Sequence, residues 1–102
     1  MGALINEDRF GVCQLPIDVA SVGANTTAEQ SFTLRGLRPG DFVAVVKPSL
    51  NAGLGVVNAR VSAADTIAIK FVNASGGAID PGLETYLVFW FRGEKTPVAV
   101  NP

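Results

Sequence analysis

Between Ser31 and Pro81 the chain reads Phe32-Thr33-Leu34, Phe42-Val43-Ala44-Val45-Val46, Val56 to Val61 and Ile67 to Val72, and these apolar runs are cut apart by Arg38-Pro39-Gly40-Asp41, Asn51-Ala52-Gly53, Ala64-Asp65 and Ser75-Gly76-Gly77. β-Branched and aromatic side chains suit a pleated, packed surface, and the intervening residues supply either a positive φ or a fixed one. The block reads as strand, turn, strand repeated. Upstream, Thr27, Glu29, Ser31 and Thr33 alternate with Ala28, Gln30 and Phe32, as on a strand with one wet face. Downstream, Tyr86-Leu87-Val88-Phe89-Trp90-Phe91 is apolar on both faces. The short Ser62-Ala63-Ala64-Asp65 link predicts a hairpin between its flanking strands. Pro48 to Leu54 has room for a single helical turn.

Six to eight strands at this spacing predict an all-β fold, an antiparallel β-sandwich of immunoglobulin-like or jelly-roll kind. The expected core is Phe32, Val45, Val57, Val61, Ile67, Ile69, Phe71, Leu87 and Phe89. Residues 1–25 differ from the rest, mixing apolar patches with Gly11, Pro16 and Gly23. Proline cannot donate to a ladder, so this segment is expected as an extended N-terminal arm or an edge strand. Residues 26–102 would form the sandwich domain.

A chain of 102 residues fits one domain that buries roughly 65 % of its unfolded surface. Its hydrophobic content of 48 % is that of a globular protein. No apolar run reaches the roughly 20 residues of a membrane-spanning helix, so no membrane partner is expected. The start, Met1 to Asp8, lacks the cationic and apolar regions of a secretion signal, and export is not expected. Eight basic and nine acidic residues give a net charge of -1. Without a basic run, direct nucleic-acid binding is not expected.

Residues able to do chemistry are few. There is no histidine, the commonest general base and metal ligand. Cys13 is the only cysteine and has no neighbouring cation to activate it, so it reads as a small buried hydrophobe. Asp41, Asp65 and Asp80 lie beside turn residues, where aspartate accepts local hydrogen bonds. Gly53-Leu54-Gly55 lacks the lysine and the third glycine of a phosphate loop. The reading is therefore of a protein that is not an enzyme, with no cofactor, no metal and no catalytic residues.

The run Phe32-Thr33-Leu34, Gly36-Leu37, Gly40-Asp41-Phe42-Val43, Pro48 to Val56 and Arg60 to Ile67 resembles small virion structural proteins of tailed bacteriophages, above all capsid decoration (cement) proteins. The resemblance covers residues 31 to about 91. It implies an oligomeric β-sandwich on the outer capsid surface, made in the host bacterial cytoplasm, that bridges major capsid protein subunits. The alternative is a tail, neck or head-fibre component that binds a host glycan or protein. An exposed aromatic platform beside polar loops would favour the binding module; an apolar sheet face with an extended arm would favour the cement.

The two-faced apolar strand Tyr86 to Phe91 calls for a covering layer from another subunit, a homotrimer before a dimer. Expected interface residues are Leu4, Ile5, Phe10 and Val12 on the arm, with Glu7, Asp8 and Arg9 at the rim, and Tyr86, Val88 and Trp90 on the strand.

Overall fold

The structure, a computed structural model, describes residues 10–93. Leu4, Ile5, Glu7, Asp8 and Arg9 lie outside the described residues. Six strands follow in order: β1 (Phe10–Val19), β2 (Thr26–Thr33), β3 (Phe42–Val46), β4 (Leu54–Ala63), β5 (Thr66–Asn73) and β6 (Gly82–Phe91). They form two antiparallel three-stranded sheets, ordered β1-β6-β3 and β2-β5-β4, and apolar residues of both meet in one core. Phe42–Val46 coincides with the run seen in the sequence. The β4–β5 hairpin turns at Ala64-Asp65, where Asp65 takes a positive φ of 58°. No helix forms at 48–54; Leu54 N instead closes a turn onto Asn51 O at 2.9 Å.

The pairing has a simple logic. β1 pairs with β6 over its whole length, from Phe10 opposite Phe91 to Val19 opposite Gly82, and β2 pairs with β5 from Thr26 opposite Asn73 to Thr33 opposite Thr66. Between them Val22 and Ile79 exchange both backbone hydrogen bonds, at 2.8 and 3.0 Å. The chain is thus one long antiparallel ribbon bent over on itself. β3 then lies beyond β6 and β4 beyond β5, so the ribbon is rolled in the jelly-roll manner, with six strands instead of eight.

Side chains hold the bend. The Gln30 amide donates to Ala20 O at 3.0 Å and accepts from Ala20 N at 2.8 Å. Asn73, fully buried, donates to Val22 O and Gly77 O and accepts from Ser75 N. Every polar group of that buried amide is therefore satisfied, as burial demands. At the opposite end Arg38-Pro39-Gly40-Asp41 forms a turn closed by Asp41 N on Arg38 O at 3.0 Å, with Gly40 at φ 97°, the positive value a type II turn needs.

The core joins Leu15, Ile17 and Val19 of β1, Val43 of β3, Leu54 of β4, Ile67, Ile69 and Phe71 of β5, and Tyr86 and Val88 of β6, with Val22 and Leu37 from the connections. Ile67, Ile69 and Phe71 lie where the alternation placed them, and Phe32, Val45 and Val61 pack partly buried against them. Three core expectations are corrected. Val57 is exposed, because the β4 ladder is irregular between Val56 and Asn58 and the extra residue points outward. Leu87 and Phe89 are exposed because the parity of β6 is opposite to the one expected.

The same parity corrects part of the expected interface. Tyr86 and Val88 have no accessible surface and belong to the core. The cause is the partner strand: β1 alternates Gln14, Pro16 and Asp18 outward with Leu15, Ile17 and Val19 inward, and pairing of Leu15 with Tyr86 carries that assignment to β6. Residues from Phe10 onward form an edge strand of the sandwich itself.

Candidate functional site: an apolar sheet face

The inverted parity turns Leu83, Leu87, Phe89 and Phe91 of β6 outward, beside Phe10 and Val12 of β1 and Phe42, Ala44 and Val46 of β3. The register orders them in rows. Phe10, Phe91 and Phe42 stand side by side across the three strands; Val12, Phe89 and Ala44 form the next row, and Gln14, Leu87 and Val46 the third. Same-face neighbours on paired strands lie about 5 Å apart at Cβ, so each row is a continuous apolar contact. Phe42 is 60 % exposed, Phe10 46 %, Phe91 44 % and Phe89 40 %. No charged residue occurs in these three rows.

The other sheet is built in the opposite way. Its outer face carries Thr27, Glu29 and Ser31 of β2, Lys70 of β5, and Asn58 and Arg60 of β4. Arg60 donates two hydrogen bonds of 2.9 Å to the Glu29 carboxylate across the sheet. The guanidinium is the first cause of the lowered pKa of Glu29. A sandwich ordinarily presents polar outer surfaces on both sheets; this one does so on one.

Of the expected interface residues, Phe10 and Val12 lie on the apolar face. Trp90 points to the inner side instead. Its indole lies against the backbone of Gly11, where an added Cβ would come within 2.8 Å of Nε1, so glycine is what lets the ring lie there. Arg92 stacks on the same ring at 5.1 Å from its centroid. That guanidinium also clamps Asp41 through Nε and Nη2 at 2.8 and 2.7 Å and donates to Gly36 O at 2.9 Å. Burial alone would raise the Asp41 carboxyl; hydrogen bonds from Arg92 and from Arg38 N outweigh it and hold the group below the ordinary aspartate value.

Around Trp90 opens a cleft of about 410 Å³ lined by Cys13, residues 34–38 and Arg92. Burial pushes the Cys13 thiol up, away from the thiolate a nucleophile needs. At the other end of the sheet Lys47 and Glu84 pair at 2.9 Å, both nearly buried. Lys47 also donates to Ser49 O and Asn51 Oδ1, and Ser49 Oγ donates to the second Glu84 oxygen. Both charged clusters thus tie loops to strands. Asp80 accepts from Gly82 N at 3.0 Å, the local turn role its position suggested, whereas Asp65 accepts from Gly36 N at 2.8 Å, 29 residues away, and ties two connections together.

The apolar face was the feature sequence reasoning located only in part. The signal for it was the alternation of β1, which fixes the parity of β6. Comparison with protein-family models, with curated proteins and with solved structures finds no match to this chain.

Proposed function

We propose that this protein is a non-enzymatic virion structural protein that decorates the outer surface of a tailed-phage capsid and bridges neighbouring major capsid protein subunits. The observation that carries the proposal is the outer face of the β1-β6-β3 sheet, three uncharged rows of which the first is Phe10, Phe91 and Phe42. A monomer gains nothing by holding four phenylalanines in water on one sheet while keeping the other sheet polar, whereas a module that works by being built into an assembly does. The two aromatics with polar handles, Tyr86 and Trp90, do not stand on this face: Tyr86 is in the core, and Trp90 turns to the inner side against Gly11 with Arg92 stacked on it. The sequence resemblance of residues 31 to 91 supplies the capsid as the assembly.

On this reading residues 1–9, which lead into Phe10 at the edge of the apolar face, make the capsid contact through Leu4 and Ile5. Lattice symmetry repeats each modest contact many times, and multivalency converts the repetition into head stability. The test is co-expression with the major capsid protein encoded in the same genome, followed by gradient isolation of capsids. Retention of the protein on capsids, with raised resistance to heating, is expected. Capsids that band without it would overturn the proposal.

A further inference from the structure

We propose that two copies of this chain pair through the outer face of the β1-β6-β3 sheet, giving a two-fold dimer four sheets thick. The proposal rests on reading that face as an assembly surface, and it names the partner as a second copy.

Area is the first argument. Large aromatic side chains offer roughly 150–250 Å² each, so the exposed fractions of the four phenylalanines, with Val12, Val46 and Leu87, correspond to on the order of 600 Å² of apolar surface. Two such faces in contact would bury on the order of 1,200 Å², where stable specific interfaces begin.

Charge is the second argument. A two-fold axis lays a surface against itself, so a charge near the axis faces its own copy, and one farther out needs an opposite charge on the same face to meet it. The rows Phe10-Phe91-Phe42, Val12-Phe89-Ala44 and Gln14-Leu87-Val46 carry no charge, and among the described residues of β1 the acid on this face, Asp18, lies two rows beyond Gln14. Self-juxtaposition therefore costs no repulsion at the centre.

Symmetry is the third. A ring of three needs two different complementary patches on each copy, while a two-fold pair needs one. The second sheet offers Glu29, Arg60, Lys70 and Asn58, no match for an apolar face. Pairing by strand addition at the β1 edge is opposed by Pro16, which has no N–H to give. Face-to-face stacking at about 10 Å, as between the two sheets of a sandwich, remains. The geometry thus points to a dimer in place of the trimer expected from the sequence.

Sedimentation of the full chain in the absence of capsids reads the result. A species of twice the 10.6 kDa chain mass is expected, and Phe42→Ser/Phe89→Ser should sediment at half the wild-type mass with an unchanged far-ultraviolet spectrum. Hydroxyl-radical footprinting of the wild type supplies a readout that needs no variant: oxidation of Phe42, Phe89 and Phe91 should fall as concentration rises through the dimerisation range. A monomer at high micromolar concentration, a trimer, or a folded double variant that still dimerises would each overturn the pairing. So would protection of these phenylalanines at every concentration in a monomer, which would mean that the chain's own ends cover the face. A monomer that loads onto capsids would overturn this inference and leave the decoration reading standing; a dimer with no affinity for capsids would do the reverse.

Discussion

Tyr86 shows how a single position reports the logic of the core. Its ring is fully buried against both sheets, and its hydroxyl has no hydrogen-bond partner among the described residues. Burial, followed by the nearby Glu84 charge, pushes its pKa up to about 12. The ring contributes packing while the hydroxyl loses its water, so Tyr86→Phe should leave thermal stability equal or raise it by up to about 1 kcal/mol, as a melting experiment would show. The sign of the pH effect follows from the raised value. The neutral phenol is the form the fold favours, so its contribution is intact below the unfolded value of about 10 and is lost as pH rises toward 12. The Tyr86→Phe protein should lack that alkaline decline. Phe71, also without accessible surface, has no polar atom to offset its packing. Phe71→Ala should cost about 3–5 kcal/mol in denaturant unfolding, enough to unfold much of so small a domain.

At the scale of elements, what could be read from the sequence depended on whether polar residues marked the parity. β2, with Glu29 and Ser31 facing out, and β5, with Lys70 between Ile69 and Phe71, announce their inner faces, and both were legible. β6 has no polar residue from Tyr86 to Phe91, and the adjacent pair Glu84-Thr85 favours neither parity. Its assignment is imposed from outside by β1, whose Gln14, Pro16 and Asp18 alternate cleanly with Leu15, Ile17 and Val19. With residues 1–25 open between an arm and an edge strand, that constraint was not applied to β6, and the apolar face was missed with it. Val57 was illegible for another reason, since nothing in Val56-Val57-Asn58 announces an irregular ladder. The β1 ladder also divides the N-terminal region in two. Deleting residues 1–9 leaves β1 and its whole ladder with β6 in place, so the sandwich should stay folded by circular dichroism while capsid loading is lost. Deleting 1–15 takes away Leu15 and the pairs from Phe10–Phe91 to Leu15–Tyr86, and circular dichroism should show an unfolded chain.

For the whole molecule, charge matters at the two ends of the β1-β6-β3 sheet, where Arg92 holds Asp41 and Lys47 holds Glu84. Both carboxyls sit below their ordinary values, Glu84 through hydrogen bonds from Ser49 and Lys47 and Asp41 because Arg92 and Arg38 N outweigh its burial. Stability from these pairs is present above the unfolded values of about 4 and lost as pH falls through the lower folded ones. With no histidine in the chain, melting temperature should be flat from about pH 5 to 8 and decline below about pH 4; Asp41→Asn should flatten part of that acid limb. The bent ribbon carries a further consequence, for the order of events in folding. Among the described strands only the β4–β5 hairpin joins neighbours in sequence through a tight turn, at Ala64-Asp65; the pairings β2 on β5, then Val22 on Ile79, then β1 on β6 each close a longer loop than the one before. The molecule should therefore zip from the middle of the chain toward its ends, with Asp65 and Ile67 structured in the transition state and Phe10 and Phe91 the last to be joined and the first to part.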